Sequence, residues 1–251
     1  MVAEFRMMGE ISSRCATSST LASTPAFDAI VQHAARLVHE DLPNTTRREF
    51  DLKTWPYKSN GGLTDRNRLK VAEIYSKATS VFEYGLGEST MIADHVGVPR
   101  YSGIDSDPVW IANTRKKVSN HFRFYLADIG ETGAWGRPTI ADLNKGPLDY
   151  MLAPLMAEPL SFDVYMVDGR WRLSCMLASF LHASARGRTE SPIVMVHDCD
   201  TRPHYHQADH LLELEEVAEN SGTRLCVFKR KPDTSDDQLV ELWMKNYRLP
   251  N

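Results

Sequence analysis

From Ser80 onward, short apolar runs alternate with segments whose apolar residues recur every third or fourth position. The short runs predict five strands, which lie at residues 80–84, 101–104, 121–127, 162–167 and 192–196. The intervening segments predict helices, which lie at residues 91–96, 108–120 and 171–185. This alternation is typical of a doubly wound α/β fold, in which helices cover both faces of a mostly parallel sheet.

The end of the chain predicts a different connection. After a predicted helix at 204–220, two strand-like segments follow, RLCVFKRK (224–231) and LVELWMKNY (239–247). Only PDTSDDQ separates them, whereas a parallel crossover needs about a dozen residues or more. We therefore expect a C-terminal antiparallel hairpin at one edge of a seven-stranded sheet.

Two further helices are predicted before the first strand, one at residues 25–40 and one capped by Thr64. The segment WPYKSNGG (55–62) predicts a loop between them. We expect residues 26–251 to form a single domain, with N-terminal helices and a lid loop at 26–79 and a Rossmann-like core at 80–251. Residues 1–25 are rich in Ser, Thr and Ala, which predicts a disordered tail, with an organelle-targeting segment as the alternative.

Composition narrows the class of protein further. The 251 residues are 42% hydrophobic and 25% charged, with a net charge of -4 and no dense basic block, which argues against nucleic-acid partners and anionic membranes. No apolar run reaches the ~18 residues of a membrane span. The four cysteines form no CxxC pair, which favours reduced thiols and a cytoplasmic location.

A glycine loop, EYGLGEST (83–90), follows the first strand and opens a helix. Gly85 and Gly87 permit a tight turn and the close approach of a ligand to the backbone. Asp105 follows Gly87 by eighteen positions, close to the ~20-residue offset of an acid that binds ribose hydroxyls. The loop therefore predicts a nucleoside-containing ligand.

The charges around this loop indicate which ligand it prefers. A dinucleotide places an anionic pyrophosphate at the helix start, where a third glycine allows close packing. Here Thr90 takes the place of that glycine, and Glu83 and Glu88 flank the loop. Two carboxylates disfavour a pyrophosphate and favour a cationic ligand without phosphate, such as S-adenosylmethionine.

Acidic residues also stand at the ends of four predicted strands, namely Asp105, Asp128, Asp168 and Asp198. Because the carboxyl ends of parallel strands meet at one edge of a sheet, we expect these four residues to border a shared cleft.

Together, EYGLGEST, GIDSD (103–107), LADIG (126–130) and the antiparallel end resemble a class I S-adenosylmethionine-dependent methyltransferase over about residues 64–247. The segments DVYMVDGRWR and VMVHDCDTRPHY are similar to a poorly characterised branch with a DGR…HD pattern. The resemblance implies S-adenosylmethionine as cofactor and these cofactor-binding residues: Glu83, Gly85, Gly87, Ser89, Asp105, Asp128, Ile129 and Asp168. It places Glu83 at the methionine end, Asp105 at the ribose and Asp128 at the adenine amino group.

The methyl acceptor is expected beyond the fourth and fifth strands. His197 is the preferred general base, because imidazole titrates near neutral pH, and Asp168 and Asp198 complete the predicted catalytic group. Arg170, Arg202, His204 and Tyr205 are the predicted substrate-binding residues, which suit a small acidic acceptor. Alternatively, His197 is a buried structural residue and the arginines only neutralise the two aspartates.

Other interpretations stay open at this stage. We expect no metal, although Asp168 and Asp198 are placed like magnesium ligands, and His206 and His210 have the spacing of a helical zinc pair. The long segment 129–161 predicts a lid over the site. The alternative functions are an NAD-dependent oxidoreductase and a non-catalytic ligand-binding protein of the same fold.

Overall fold

A computed structural model describes residues 42–58, 62–133, 136–139, 146–199, 203–218 and 224–249 of the protein. The predicted tail at 1–25, the predicted helix at 25–40, Trp135 and Arg202 lie outside these residues, as does part of the WPYKSNGG loop. Among the described residues, no helix is both long and apolar enough to cross a bilayer.

The strands in chain order are β1 Ser80–Tyr84, β2 Arg100–Asp105, β3 Arg123–Leu126, β4 Val164–Val167, β5 Ile193–His197, β6 Leu212–Ala218 and β7 Leu225–Arg230. The α-helices are α1 Asp65–Lys77, α2 Glu88–Val96, α3 Pro108–Arg115, α4 Gly146–Met151, α5 Ala153–Ala157, α6 Arg172–Ala185 and α7 Asp236–Asn246. A 3-10 helix spans Pro203–Ala208. As predicted, Thr64 caps α1, since its side chain accepts a hydrogen bond from Asn67 N.

These strands form one seven-stranded sheet in the order β3-β2-β1-β4-β5-β7-β6. The five strands β1 to β5 pair in parallel, and β7 lies antiparallel to both β5 and β6. The prediction of a doubly wound, mostly parallel seven-stranded sheet with an antiparallel strand pair is confirmed.

The apolar runs form central strands because both of their faces are buried. In β1, Phe82 and Tyr84 belong to one hydrophobic cluster, whereas Val81, the residue before Phe82, belongs to another. In β4, Tyr165 and Met166 divide between the same two clusters. A strand covered on both faces needs apolar residues at successive positions, which is why these segments are continuous apolar runs.

The predicted helix at 204–220 is wrong. It is replaced by the 3-10 helix and by strand β6, whose sequence LELEEVA consists largely of good helix formers. In β6 the middle residues are exposed at the sheet edge, while Leu212 and Ala218 are buried at its two ends. Pairing with β7 therefore overrides the local helix preference.

The second predicted hairpin strand, LVELWMKNY, is also wrong, because it lies in helix α7. Ser235 and Gln238 form a reciprocal capping box at its start. Leu239, Leu242 and Trp243 are buried on one side of the helix, at helical spacing. The antiparallel pair exists, but β6 and β7 build it.

The expectation of reduced thiols is corrected at Cys199 and Cys226, which form a disulfide with their Cα atoms 6.0 Å apart. Cys226 lies on β7 opposite Val196 of β5, and Cys199 follows β5 two residues after its end. The pairing of the antiparallel strand brings together two cysteines 27 residues apart in sequence. Cys175 is buried and free.

Candidate functional site

The glycine loop packs tightly on one side and is open on the other. Gly85 has a left-handed backbone with φ of 89°, and a Cβ there would lie 2.8 Å from Gly169 Cα. A Cβ on Gly169 would in turn lie 1.8 Å from the Tyr150 hydroxyl. A Cβ on Gly87 would meet no atom within 4 Å. The ends of β1 and β4 thus require glycine for their close approach, and Gly87 borders open space.

Glu83 supports the loop from beneath. Its carboxylate is fully buried and accepts hydrogen bonds from the hydroxyls of Tyr75 at 2.6 Å, Thr90 at 2.7 Å and Tyr101 at 2.5 Å. Burial raises the pKa of Glu83, although these hydrogen bonds oppose the shift. Thr90 also accepts a hydrogen bond from Gly87 N at 3.0 Å, so it links the loop to Glu83. Contact between Glu83 and a ligand stays a prediction.

Glu88 is neutralised by the protein itself. Its two carboxylate oxygens lie 2.5 Å from Arg68 Nε and 2.9 Å from Arg68 Nη2, and Trp55 Nε1 donates to Glu88 at 2.7 Å. Both charged residues are buried. The argument that a free Glu88 carboxylate repels a pyrophosphate is therefore wrong, because Arg68 balances that charge.

Asp105 lies at the end of β2 and joins the loop to that strand. One of its oxygens accepts a hydrogen bond from Leu86 N at 3.0 Å, and the other accepts from Ser106 N at 2.7 Å and Asp107 N at 3.1 Å. Burial raises the pKa of the Asp105 carboxyl, against the effect of these amides. The oxygen facing Leu86 keeps acceptor capacity for a ligand hydroxyl.

The remaining predicted cofactor residues lie along the same edge. Asp128 follows β3 and is exposed, with one oxygen accepting a hydrogen bond from Gly130 N at 3.1 Å. Ile129 beside it is buried, and so is Ser89 in the first turn of α2. The edge therefore presents an acid and an apolar side chain next to each other at the end of β3.

A short hairpin crosses this edge. Thr132 pairs antiparallel with Pro138, and Gly133 N donates to Arg137 O at 2.7 Å. Gly136 O accepts a hydrogen bond from Arg170 Nε at 3.2 Å, while a Cβ on Gly136 would lie 3.6 Å from Ser106 Oγ. Arg170, predicted to bind substrate, thus also holds a segment that spans from the end of β2 to the end of β4.

The buried His197 pairs with the partly buried Asp168 at the ends of the adjacent strands β4 and β5. His197 Nδ1 lies 3.0 Å from Asp168 Oδ1 and 3.7 Å from Asp198 Oδ1. His197 is 3% exposed, and its Nε2 is buried without a hydrogen-bond partner among the described residues. The imidazole is therefore oriented through Nδ1, while Nε2 is enclosed without a partner among the described residues.

Arg172 completes this cluster, and sequence reasoning missed it. Its Nη2 lies 3.0 Å from Asp168 Oδ1, and its Nη1 lies 3.1 Å from Asp198 Oδ2. It also donates to the backbone carbonyls of Gly169 and His197. The second arginine of DGRWR was the available signal, but its role depends on the left-handed backbone of Trp171, φ 48°, which precedes it.

The charges in this cluster shift two pKa values. Burial lowers the pKa of His197, but the carboxylates of Asp168 and Asp198 outweigh burial and raise it above 6.5. Burial would raise the pKa of Asp168, but His197 and Arg172 outweigh it and lower that pKa to about 2. Each group thus favours the charged form of its partner: His197 and Arg172 favour the carboxylate of Asp168, and the carboxylates favour the protonated form of His197.

We expect Asp168 to stabilise the fold above its ordinary pKa of 3.8, with that contribution lost as the pH falls toward about 2. Asp168→Asn should therefore lose less free energy of unfolding than wild type as the pH falls from 3.8 to about 2, measured by urea titrations. Asp128→Asn changes an exposed carboxylate beyond β3, which two strands separate from β4 in the sheet order, and should leave that acid dependence intact. If wild type and Asp168→Asn lost the same free energy of unfolding over this pH range, the lowered pKa of Asp168 would be contradicted.

His204 and Tyr205, which are predicted to bind the acceptor, lie in the 3-10 helix, whereas Arg202 lies outside the described residues. The rings of His204 and Tyr205 are 4.4 Å apart, and Tyr205 is buried while His204 is partly exposed. His206 is exposed and lies 3.0 Å from Asp209. The interpretation of His206 and His210 as a helical zinc pair is wrong, because no α-helix spans them.

Among the described residues, Asp168, His197 and Asp198 offer three potential metal-ligating atoms within 4.8 Å of one another. In this structure the Arg172 guanidinium bonds both carboxylates of that group. The predicted placement of Asp168 and Asp198 at adjacent strand ends is confirmed, and the cation beside them belongs to the protein.

No protein-family model and no curated protein sequence matches the chain. A methyltransferase-like protein from Silicibacter pomeroyi is similar in structure, with 24% identity, a TM-score of 0.61, and coverage of 76% of this chain and 98% of that one. An O-methyltransferase from Bacillus cereus in complex with SAH shares 10% identity at a TM-score of 0.44, covering 92% and 100% of the two chains. The first similarity, together with the strand order, identifies a class I methyltransferase fold.

Proposed function

We propose that the protein binds S-adenosylmethionine at the carboxyl edge of its sheet and transfers the methyl group to a small acceptor that His197 deprotonates. The observation that carries this proposal is the buried Nε2 of His197, which has no partner among the described residues, while Nδ1 faces Asp168 at 3.0 Å. Such an arrangement suits proton abstraction at a fixed point of the cleft.

The residues at the edge fit the cofactor. Gly87 borders open space, which leaves room for a ligand against the loop backbone. Asp105 retains acceptor capacity for a ribose hydroxyl, and Asp128 is an exposed acceptor for an adenine amino group. When bound, S-adenosylmethionine supplies an electrophilic methyl carbon. Glu83 acts beneath the loop in this scheme, where it keeps Thr90 and thereby Gly87 in position.

His197 and Asp168 divide the proton chemistry between them. A proton on Nδ1, donated to Asp168, leaves the Nε2 lone pair free to accept a proton from the acceptor's hydroxyl or amine. The Asp168 carboxylate then stabilises the imidazolium that forms. Asp198, 3.7 Å from Nδ1, adds to this stabilisation.

We infer that the acceptor is small and acidic. Arg170 is mostly buried and lies under the hairpin, and His204 is partly exposed beyond the end of β5. With Tyr205 and the predicted residue Arg202, these groups favour a carboxylate or phosphate on the acceptor. A hairpin that covers the edge favours a small molecule over a macromolecule. A screen of small acids, with release of S-adenosylhomocysteine as readout, tests this specificity.

We expect calorimetry to detect binding of S-adenosylhomocysteine and no binding of NAD. Asp105→Asn should weaken the binding of S-adenosylhomocysteine by about 1–3 kcal/mol, roughly fivefold to 150-fold in affinity, because it removes a charged hydrogen bond to the ribose. The matched control is Asp107→Asn, since Asp107 caps α3 and asparagine also caps helices well. Preferential NAD binding would support the oxidoreductase alternative and end the methyltransferase proposal.

A further inference from the structure

Two carboxylates and an imidazole converge at the ends of β4 and β5, and Arg172 lies among them. The guanidinium is 3.0 Å from an oxygen of Asp168 and 3.1 Å from an oxygen of Asp198. Its side chain is 5% exposed, and both carboxylates are less than one-third exposed. A fixed positive charge therefore holds two partly buried negative charges together.

The backbone around Arg172 is arranged to place that charge. Trp171 and Asp198, at the ends of β4 and β5, have left-handed backbone conformations with φ of 48° and 56°. Such conformations are costly for residues other than glycine and persist only where surrounding contacts enforce them. Arg172 provides contacts to both sides, because it bonds the carbonyls of Gly169 and His197 as well as the two carboxylates.

We propose that Arg172 takes the place of a divalent cation at this site: it occupies a latent metal site formed by Asp168, His197 and Asp198. Without the guanidinium, the three ligand atoms lie within 4.8 Å of one another and carry two negative charges. Carboxylate oxygens with an imidazole nitrogen are suitable ligands for Mn²⁺. With the guanidinium present, one of the two negative charges is already balanced, and its N–H groups bond one oxygen of each carboxylate.

The inference deepens the proposed function, since it concerns the same strand-end cluster and assigns Arg172 as a positioning residue. Arg172 fixes Asp168, which in turn orients His197. The test is independent of turnover, because it measures Mn²⁺ binding in the full chain. Loss of methyltransferase activity or of cofactor binding would leave its outcome unaffected.

The experiment compares wild type with Arg172→Gln by the electron paramagnetic resonance signal of free Mn²⁺. We expect Arg172→Gln to bind one Mn²⁺ at least about tenfold more tightly than wild type, and to regain in Mn²⁺ the melting temperature that it loses in chelator. Arg172→Lys keeps a positive charge and should bind no more Mn²⁺ than wild type. The double variant Arg172→Gln with Asp198→Asn should lose the gain.

Arg100→Gln is the matched control, because Arg100 is also a buried arginine that faces a carboxylate, Glu158, and donates to the Ser161 and Leu160 carbonyls. It should lose stability without any recovery in Mn²⁺. The proposal would be overturned if wild type bound Mn²⁺ as tightly as Arg172→Gln does and if this binding depended on Asp198. The proposal would also fail if Arg172→Gln bound Mn²⁺ no more tightly than wild type and if its melting temperature did not rise when Mn²⁺ was added.

Discussion

Replacing His197 by Asn should lower the rate of methyl transfer by about 10²–10⁴-fold, the usual contribution of a positioned general base. The substitution removes the buried Nε2 atom that has no partner among the described residues. It leaves the glycine loop and Asp105 unchanged, so the affinity for S-adenosylhomocysteine should stay close to that of wild type. The measurement pairs single-turnover methyl transfer to an acceptor found by screening with calorimetry of the same variant.

His206→Asn is the matched control, because His206 Nδ1 also lies 3.0 Å from a carboxylate, that of Asp209, but the His206 side chain is 62% exposed. It should keep wild-type rates. If both variants lose activity equally, or if His197→Asn keeps the wild-type rate, His197 is not the base and its role is to hold Asp168 in place.

The pH dependence of the rate follows from the same pair. Because the pKa of His197 is raised above 6.5, mainly by Asp168 against the effect of burial, the neutral imidazole needed for proton abstraction forms at higher pH than in an unperturbed histidine. The rate should therefore rise with pH through that raised pKa. The fold gains stability from the protonated imidazole below 6.5, and this contribution is lost as the pH rises through the pKa of the folded state.

Glu88→Ala should destabilise the protein by about 3–5 kcal/mol, because it leaves the buried guanidinium of Arg68 without its bidentate partner. It also removes the acceptor of the Trp55 indole N–H at 2.7 Å. Asp65, 2.7 Å from Arg68 but 52% exposed, compensates only in part. The free energy of unfolding from urea titrations at neutral pH provides the measurement.

Two comparisons separate the effect of losing the ion pair from the general effect of truncating a side chain. Glu241→Ala removes an exposed carboxylate paired with Lys245 on a helix and should change stability little. Combining Glu88→Met with Arg68→Met should recover much of the loss, because no uncompensated buried charge remains. A small effect of Glu88→Ala alone would show that Arg68 is solvated in the folded protein, contrary to its burial.

The contacts of Glu88 and Glu83 change the prediction about which ligand the glycine loop prefers. Glu88 faces Arg68, and Glu83 is enclosed by three hydroxyl groups, so the loop presents less negative charge than its sequence indicates. The case against NAD therefore relies on topology, since β7 lies antiparallel between β5 and β6.

The sequence by itself determined the parallel core and the edge of the sheet at which the predicted site residues lie. Apolar runs such as that of β1 need burial on both faces, and the glycines, Asp105 and Asp168 follow strand ends, which in a parallel sheet meet at one edge. These inferences hold because they depend on local patterns and on one general rule of sheet geometry. The same rule brings His197 and Asp168 to one edge of the sheet, and their catalytic role stays a prediction.

Tertiary structure alone decided the secondary structure of two C-terminal segments and the ion pairs of the site. LELEEVA lies in β6 because β7 offers it a partner, and LVELWMKNY is helical because its apolar side packs against the core. Arg68 pairs with Glu88 across 20 residues of sequence, and Arg172 pairs with Asp198 across 26. Pairing between distant residues depends on the folded path of the chain, whereas local periodicity reports only the face that each segment buries.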